Sequence, residues 1–208
     1  AASNDAGDGS VNIPRTGGSL QGVIELVRVQ ATVVFSINGG TGVDFTPTHF
    51  QVCNLPKSSN LFEQASDVAN GTYFNTEMLT YDSFKDSIFF YPMENRKQPS
   101  ANVAAYRDRM DMANANSTYV VIKGSYSGKA DHFTDFDKEK YSGQENAEAK
   151  VTYYIPLGYV NGNLNDYNVR RNTKYIYNIT VNGIDDIVLE VVSEGDKSSV
   201  EDGDVIYL

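Results

Sequence analysis

Residues Val151 to Val192 read VTYYIPLGYVNGNLNDYNVRRNTKYIYNITVNGIDDIVLEVV, and this stretch decides the fold. Val151, Tyr153, Ile155, Leu157 and Tyr159 alternate with other side chains. So do Tyr175, Tyr177, Ile179 and Val181, and then Ile187, Leu189 and Val191. Successive side chains on a strand point to opposite faces, so each set lies on one face. The first link, NGNLNDYN, is rich in residues that tolerate left-handed turn conformations. The second, NGIDD, carries an Asn-Gly pair, a strong hairpin signal. The reading is a β-meander that closes a sandwich.

Outward from that stretch, VIELVRVQATVVFSI (23–37) is a strand with Val27, Val29, Ala31, Val33, Phe35 and Ile37 on one face, broken at Asn38-Gly39-Gly40. THFQVCNL (48–55), DSIFFY (86–91) and STYVVIKGSY (117–126) read as further strands. Val103, Tyr106, Met110 and Ala113 recur at helical spacing behind Ser100, so one short helix is expected over 100–113, capped by Ser100. The segment 127–149 is long and charged and reads as a hairpin with an excursion or as a mobile loop. Residues 1–20 read as a flexible arm, 21–192 as the sandwich, and 193–208 as an acidic tail ending in an apolar DVIYL.

The chain has 208 residues, 14 Tyr and 10 Phe but no Trp, so aromatic rings supply much of the packing. A net charge of -10 opposes binding to nucleic acid and to anionic membrane surfaces. The single cysteine, Cys53, can form neither an internal disulfide nor a Cys-rich zinc site. No apolar run reaches the length of a membrane helix, and AASNDAGDGS does not read as a signal peptide.

No catalytic pattern emerges. His49 and Cys53 would stand about 13 Å apart along a strand, too far for activation. No nucleophile elbow or phosphate-binding glycine loop is present. Asp131, Asp135, Asp137 and Glu139 have oxygen ligands suited to Ca²⁺ but lack the glycine of an EF-hand, and a solvated acidic loop is the simpler reading. Tyr153, Tyr154, Tyr175 and Tyr177 fit either a sugar-binding face or a sandwich core.

Several segments taken in order resemble the fimbrillin family, the type V pilin subunits of Bacteroidales. They are IELVRVQATVVFSI (24–37), SIFFYPMEN (87–95) with Tyr91, Glu94 and Asn95, and NSTYVVIKGSY (116–126) with Thr118, Tyr119 and Gly124. YYIPLG followed by YNVRRNTKYIYNITVNGIDDI resembles the closing signature, with Val169, Arg170, Arg171, Asn172, Tyr175 and Ile179 at its centre. The resemblance implies an all-β, transthyretin-like two-sheet antiparallel β-sandwich with one short helix and long loops. It implies no enzyme activity and no cofactor or metal. The implied protein is a structural subunit of a cell-surface fimbria with a role in adhesion, exported through the outer membrane as a processed lipoprotein. Its partners would be other pilin subunits, with a host or bacterial surface glycan or protein as a further partner. A monomeric adhesin or tip domain is the alternative.

Assembly in such a family proceeds by β-strand addition. Carried onto this chain, Val205, Ile206, Tyr207 and Leu208 are the donor-strand candidates. Val27, Val29, Val33, Phe35, Tyr175, Tyr177 and Ile179 are the candidates for lining the acceptor groove. Arg170, Arg171 and Asn172 are the turn-pinning candidates, with one arginine expected to pair with a carboxylate such as Glu94 or Asp166.

Overall fold

The computed structural model describes residues 28–60, 71–81, 87–129, 144–184 and 186–195. The strands are β1 (Thr32–Gly39), β2 (Asp44–Cys53), β3 (Leu55–Pro56), β4 (Tyr73–Phe74), β5 (Leu79–Thr80), β6 (Ile88–Phe90), β7 (Tyr119–Lys129), β8 (Asn146–Pro156), β9 (Thr173–Val181) and β10 (Ile187–Gly195). They form one four-stranded sheet in the order β10-β9-β1-β6, a second in the order β5-β2-β7-β8, and a two-stranded β3-β4 ribbon. The molecule is a mostly-β sandwich with one short α-helix among the described residues.

The alternation expected from the sequence fills the space between the sheets. Ala31, Val33, Phe35 and Ile37 of the first strand region, Ile155 and Tyr153 of β8, and Tyr175, Tyr177 and Ile179 of β9 share one buried cluster with Val120, Ile122 and Tyr126 of β7. Phe35 stacks on Tyr177 with centroids 5.5 Å apart, and Phe45 meets Tyr153 edge-on at 5.7 Å. Each pair lies within one sheet, so rings pack across strands of a layer and fill the core in place of tryptophan.

The expected meander is not one sheet. β8 pairs with β7, whereas β9 pairs with β10 and with β1. The polar link 157–172 therefore carries the chain from one layer to the other. Alternation alone assigns a face to each strand but not a neighbour. β1 and β9 also run parallel, from Thr32↔Lys174 to Gly39↔Val181, in a sandwich whose other pairings are antiparallel. The NGIDD link does form the β9–β10 hairpin, with Asn182 N–H donating to Asp186 O at 2.8 Å.

Several boundaries differ from expectation. The strand read over 23–37 begins at Thr32 within the described residues, preceded by an isolated Gln30↔Met93 bridge, and the strand read over 48–55 runs from Asp44 to Cys53. β7 and β8 pair out to Lys129↔Asn146, so the described ends of the 127–149 link are strand, in keeping with the hairpin alternative. Ala147, Ala149 and Val151 keep the alternation there, but alanine and charged residues are weak strand formers. β10 continues through Ser193 and Glu194, which the sequence assigns to the tail. The expected helix over 100–113 shrinks to a 3-10 turn, Tyr106–Asp108, and the four-residue helix α1 (Arg109–Met112). Ser100 does not cap its start: the Ser100 N–H and hydroxyl both donate to Met112 O at 2.8 and 3.0 Å, tying the two ends of the segment together.

Gly124 on β7 makes room for a ring from β2, its neighbour in the same sheet. A Cβ placed there would lie 2.4 Å from the Phe45 ring and 2.8 Å from Thr46 O, so the ring of the neighbouring strand occupies the missing side chain's space. Gly124→Ala is expected to lower stability by about 1–3 kcal/mol. An unchanged midpoint in urea unfolding would contradict this packing.

Candidate functional site

Two features bear on function: a buried polar lock that fixes the crossover 157–172, and the sheet edges that the lock leaves open.

The lock centres on Arg109, which is fully buried. Its guanidinium donates to Leu157 O at 3.1 Å and Asp166 O at 2.9 Å, and also to Asn163 O and Leu164 O. The Tyr167 ring lies 4.3 Å and the Tyr159 ring 5.1 Å from the guanidinium carbon. Tyr167 closes the loop by donating its hydroxyl to Arg109 O at 2.8 Å. Burial pulls the Arg109 pKa below its ordinary value, an effect opposed first by Tyr167. Tyr159 adopts a left-handed conformation at φ 65, uncommon for a large side chain, which the surrounding contacts hold in place.

A second part of the lock joins β9's approach to β6's exit. Arg171 donates through Nε to Glu94 Oε2 at 2.9 Å, and its Nη2 lies 2.7 Å from the same oxygen. Both side chains are buried. The Arg171 Nη2 also donates to Asn60 O at 2.8 Å. Next to it, Asn95 and Val169 exchange backbone hydrogen bonds of 2.9 Å, and the Asn95 amide donates to Asn116 O and Thr118 Oγ1. Of the turn residues, Arg171 thus meets Glu94. Arg170 is exposed, and its N–H donates to the Tyr175 hydroxyl at 2.8 Å. Asn172 supplies the left-handed φ of 51 and donates its N–H to Gln30 O. Asp166 accepts hydrogen bonds from Asn168 and from Val160 N–H within the loop.

The open edges follow from strand order. Among the described residues, β10 has β9 on one side and no strand on the other. Ile187, Leu189 and Val191 point toward the core, while the outer face alternates Val188 and Val192, 53% and 41% exposed, with Glu190 and Glu194. On the outer face of the same sheet, Phe89, Val34, Ile176 and Val192 are register partners in succession and form one row across all four strands. Phe89, at the far end, is 60% exposed. The neighbouring rows are polar, with Thr32, Lys174 and Glu194 on one side and Ser36, Asn178 and Glu190 on the other.

The acceptor-groove candidates lie elsewhere than on an open surface. Val33, Phe35, Tyr175, Tyr177 and Ile179 sit on the directly paired strands β1 and β9 and are buried, while Val29 is half-buried ahead of β1. A strand of the sandwich would have to leave before they lined a groove. Val27, the donor candidates Val205, Ile206, Tyr207 and Leu208, and the acidic group Asp131, Asp135, Asp137 and Glu139 lie outside the described residues. Three of the four tyrosines considered for a sugar face, Tyr153, Tyr175 and Tyr177, are core; only Tyr154 is exposed. Cys53 is buried, and burial pushes its thiol pKa up despite a hydrogen bond with Tyr119. Among the described residues no group of three or more His, Cys, Asp or Glu side chains is placed to hold a metal ion, and no helix is long and apolar enough to cross a membrane.

Sequence reasoning missed Arg109. An arginine between Asp108 and Met110 in a polar stretch reads as solvated, and nothing local marks it as the hub.

Comparison with known proteins bears on the fold. A domain of unknown function, DUF4906, matches residues 90–179, which take in Glu94, Asn95, Arg109 and the crossover up to β9. A crystal structure of a candidate cell adhesion protein from Parabacteroides distasonis shares 15% identity, covers 81% of this chain and 59% of its own, and superposes with a TM-score of 0.51. A second, the tip fimbrial protein Mfa3 from Porphyromonas gingivalis with a C-terminal truncation, shares 15% identity over 80% of this chain and 51% of its own, with a TM-score of 0.41. The chain thus spans between half and three-fifths of these structures. No curated protein matches the sequence. The fold is that of the Parabacteroides protein.

Two predictions follow from the lock. Glu94→Ala should cost about 3–5 kcal/mol, because it strands the Arg171 cation in the interior, whereas Glu94→Met combined with Arg171→Met should recover most of that loss. Equal unfolding midpoints for the Glu94→Ala variant and the parent would contradict a buried pair. Burial also raises the Tyr175 hydroxyl from 10.0 to about 12 and the Tyr177 hydroxyl well above 10.0. The unfolded chain then ionises first, so stability holds below pH 10.0 and falls between there and about pH 12. Tyr175→Phe should make this alkaline decline shallower in thermal melts followed by circular dichroism, although it lowers stability at neutral pH. A decline as steep as the parent's would contradict the assignment.

Proposed function

We propose that the protein is a cell-surface subunit of a fimbria, joined to its neighbours by β-strand addition and serving adhesion without catalysis. The observation that carries this reading is β10. Among the described residues it is an edge strand of nine residues, with Ile187, Leu189 and Val191 toward the core and Val188 and Val192 exposed on the outer face beside Glu190 and Glu194. Native sheets ordinarily blunt an edge with charge, proline or a cover, because its N–H and C=O groups pair with any strand offered; here Glu190 and Glu194 supply charge, but among the described residues no strand covers the edge. An added strand would complete the backbone ladder and shield Val188 and Val192, and main-chain pairing with alternate side-chain contacts would set its register.

The fold likeness to a candidate cell adhesion protein and the fimbrillin-like sequence signature support the same reading. On this proposal the subunit stands at the cell surface, reached through the outer membrane as a processed lipoprotein, and Val205 to Leu208 belong to the donor strand of a neighbour. The acceptor is the β10 edge in the fold described here. If processing removes a strand first, it becomes the groove over Val33, Phe35, Tyr175, Tyr177 and Ile179.

Truncation after Gly195 is expected to leave the monomer's melting transition in place and to abolish SDS-resistant ladders of the assembled protein. Ladders that persist in the truncated form would remove the terminal-donor assignment.

A further inference from the structure

A groove of about 1010 Å³ opens where the helical segment, the end of β8 and the β9–β10 turn meet. This is the upper end of the size range of ligand sites. The Tyr153 hydroxyl, which donates to Gly183 O at 3.2 Å, ties β8 to that turn and fixes two of the walls relative to each other. Tyr154, which alternates outward from Tyr153, lines the groove with its ring 52% exposed. Tyr106 lines it too, with a buried hydroxyl that has no hydrogen-bond partner among the described residues. Three carboxylates, Asp108, Asp111 and Asp186, face the same space, against the single cation Arg107. Arg107 lies 3.8 Å from Asp108, leaving Asp111 and Asp186 with no ion-pair partner among the described residues.

We infer that this groove docks a basic peptide segment of a partner protein, with a lysine or arginine side chain over the Tyr154 ring and its charge met by Asp111 and Asp186. A cation gains from the face of an exposed aromatic ring, and carboxylates supply charge-assisted acceptors for ammonium or guanidinium donors. The chain's net charge of -10 favours encounter with a cationic partner. The same charges repel acidic sugars and phosphates. A neutral glycan could stack on Tyr154, but it would leave the two unpaired carboxylates without counter-charge. This inference does not depend on strand addition, since the groove is formed within one subunit.

Binding of fluorescently labelled hexalysine, followed by anisotropy, tests it. The triple variant Asp108→Asn, Asp111→Asn, Asp186→Asn should raise the dissociation constant at least about tenfold, and Tyr154→Ala alone several-fold. A control triple at exposed acids outside the groove, Asp44→Asn, Glu77→Gln and Glu190→Gln, should change it by less than about twofold, and rising salt should weaken binding to the parent. Absence of hexalysine binding, or a control triple that loses as much as the groove triple, would overturn the inference. Salt-insensitive binding of cellohexaose that survives the groove triple would overturn it in favour of a neutral glycan.

Discussion

One buried arginine holds the sandwich's two layers in their relation. Arg109 offers its donors to carbonyls at both ends of the crossover, Leu157 on one side and Asp166 on the other, and three tyrosine rings lie around it. A guanidinium taken out of water is costly unless its donors are used, and here the loop backbone engages both Nη groups. The arrangement works in both directions. The cation is tolerated because the loop carbonyls face it, and the loop can run with buried backbone because the cation satisfies carbonyls that no strand could reach. The Glu94–Arg171 pair and the Asn95–Val169 exchange repeat the device where the crossover enters β9.

That rigidity has a consequence at the edges. With the crossover fixed, β9 and β1 are central in their sheet and β10 is left outermost among the described residues. The row from Phe89 to Val192 gives the outer face an apolar band between polar rows, so the sheet is prepared for contact beyond its own core. On the opposite side of β10's hairpin, the groove beside Tyr154 has the reverse character, acidic and aromatic. The chain thus presents two chemically distinct surfaces: a β10 edge with no further strand among the described residues, and an acidic, aromatic cleft.

Much of the fold was legible because period-two alternation is a local property. The faces of β1, β8 and β9, the Asn182-Gly183 hairpin and the break at Gly39 were all written in adjacent residues. Partnership was not: whether β9 pairs with β8 or with β1 depends on a crossover whose course is set by Arg109, far away in sequence. The helix was overread for a related reason. Its apolar spacing is real, but Arg109, rather than Tyr106 or Met110, is the side chain fully buried there, and Ser100 ties the segment's ends together instead of starting a longer helix. At the candidate site, Arg171 with Glu94 could be foreseen as a charged pair near a turn. The groove could not, since Asp108, Asp111, Tyr154 and Asp186 come together only once the layers have closed.

Amide hydrogen exchange on the intact monomer tests the central claim most directly, because it reads the protection of the crossover and of the edge in one experiment. If Arg109 and its carbonyl partners lock the layers, amides of Gly158, Tyr159, Asp166 and Val169 should exchange as slowly as those of the core strand Tyr175 to Val181, with Ile187 to Gly195 opening earlier. A crossover that exchanges at the rate of an exposed loop, while β10 is protected like the core, would contradict the account.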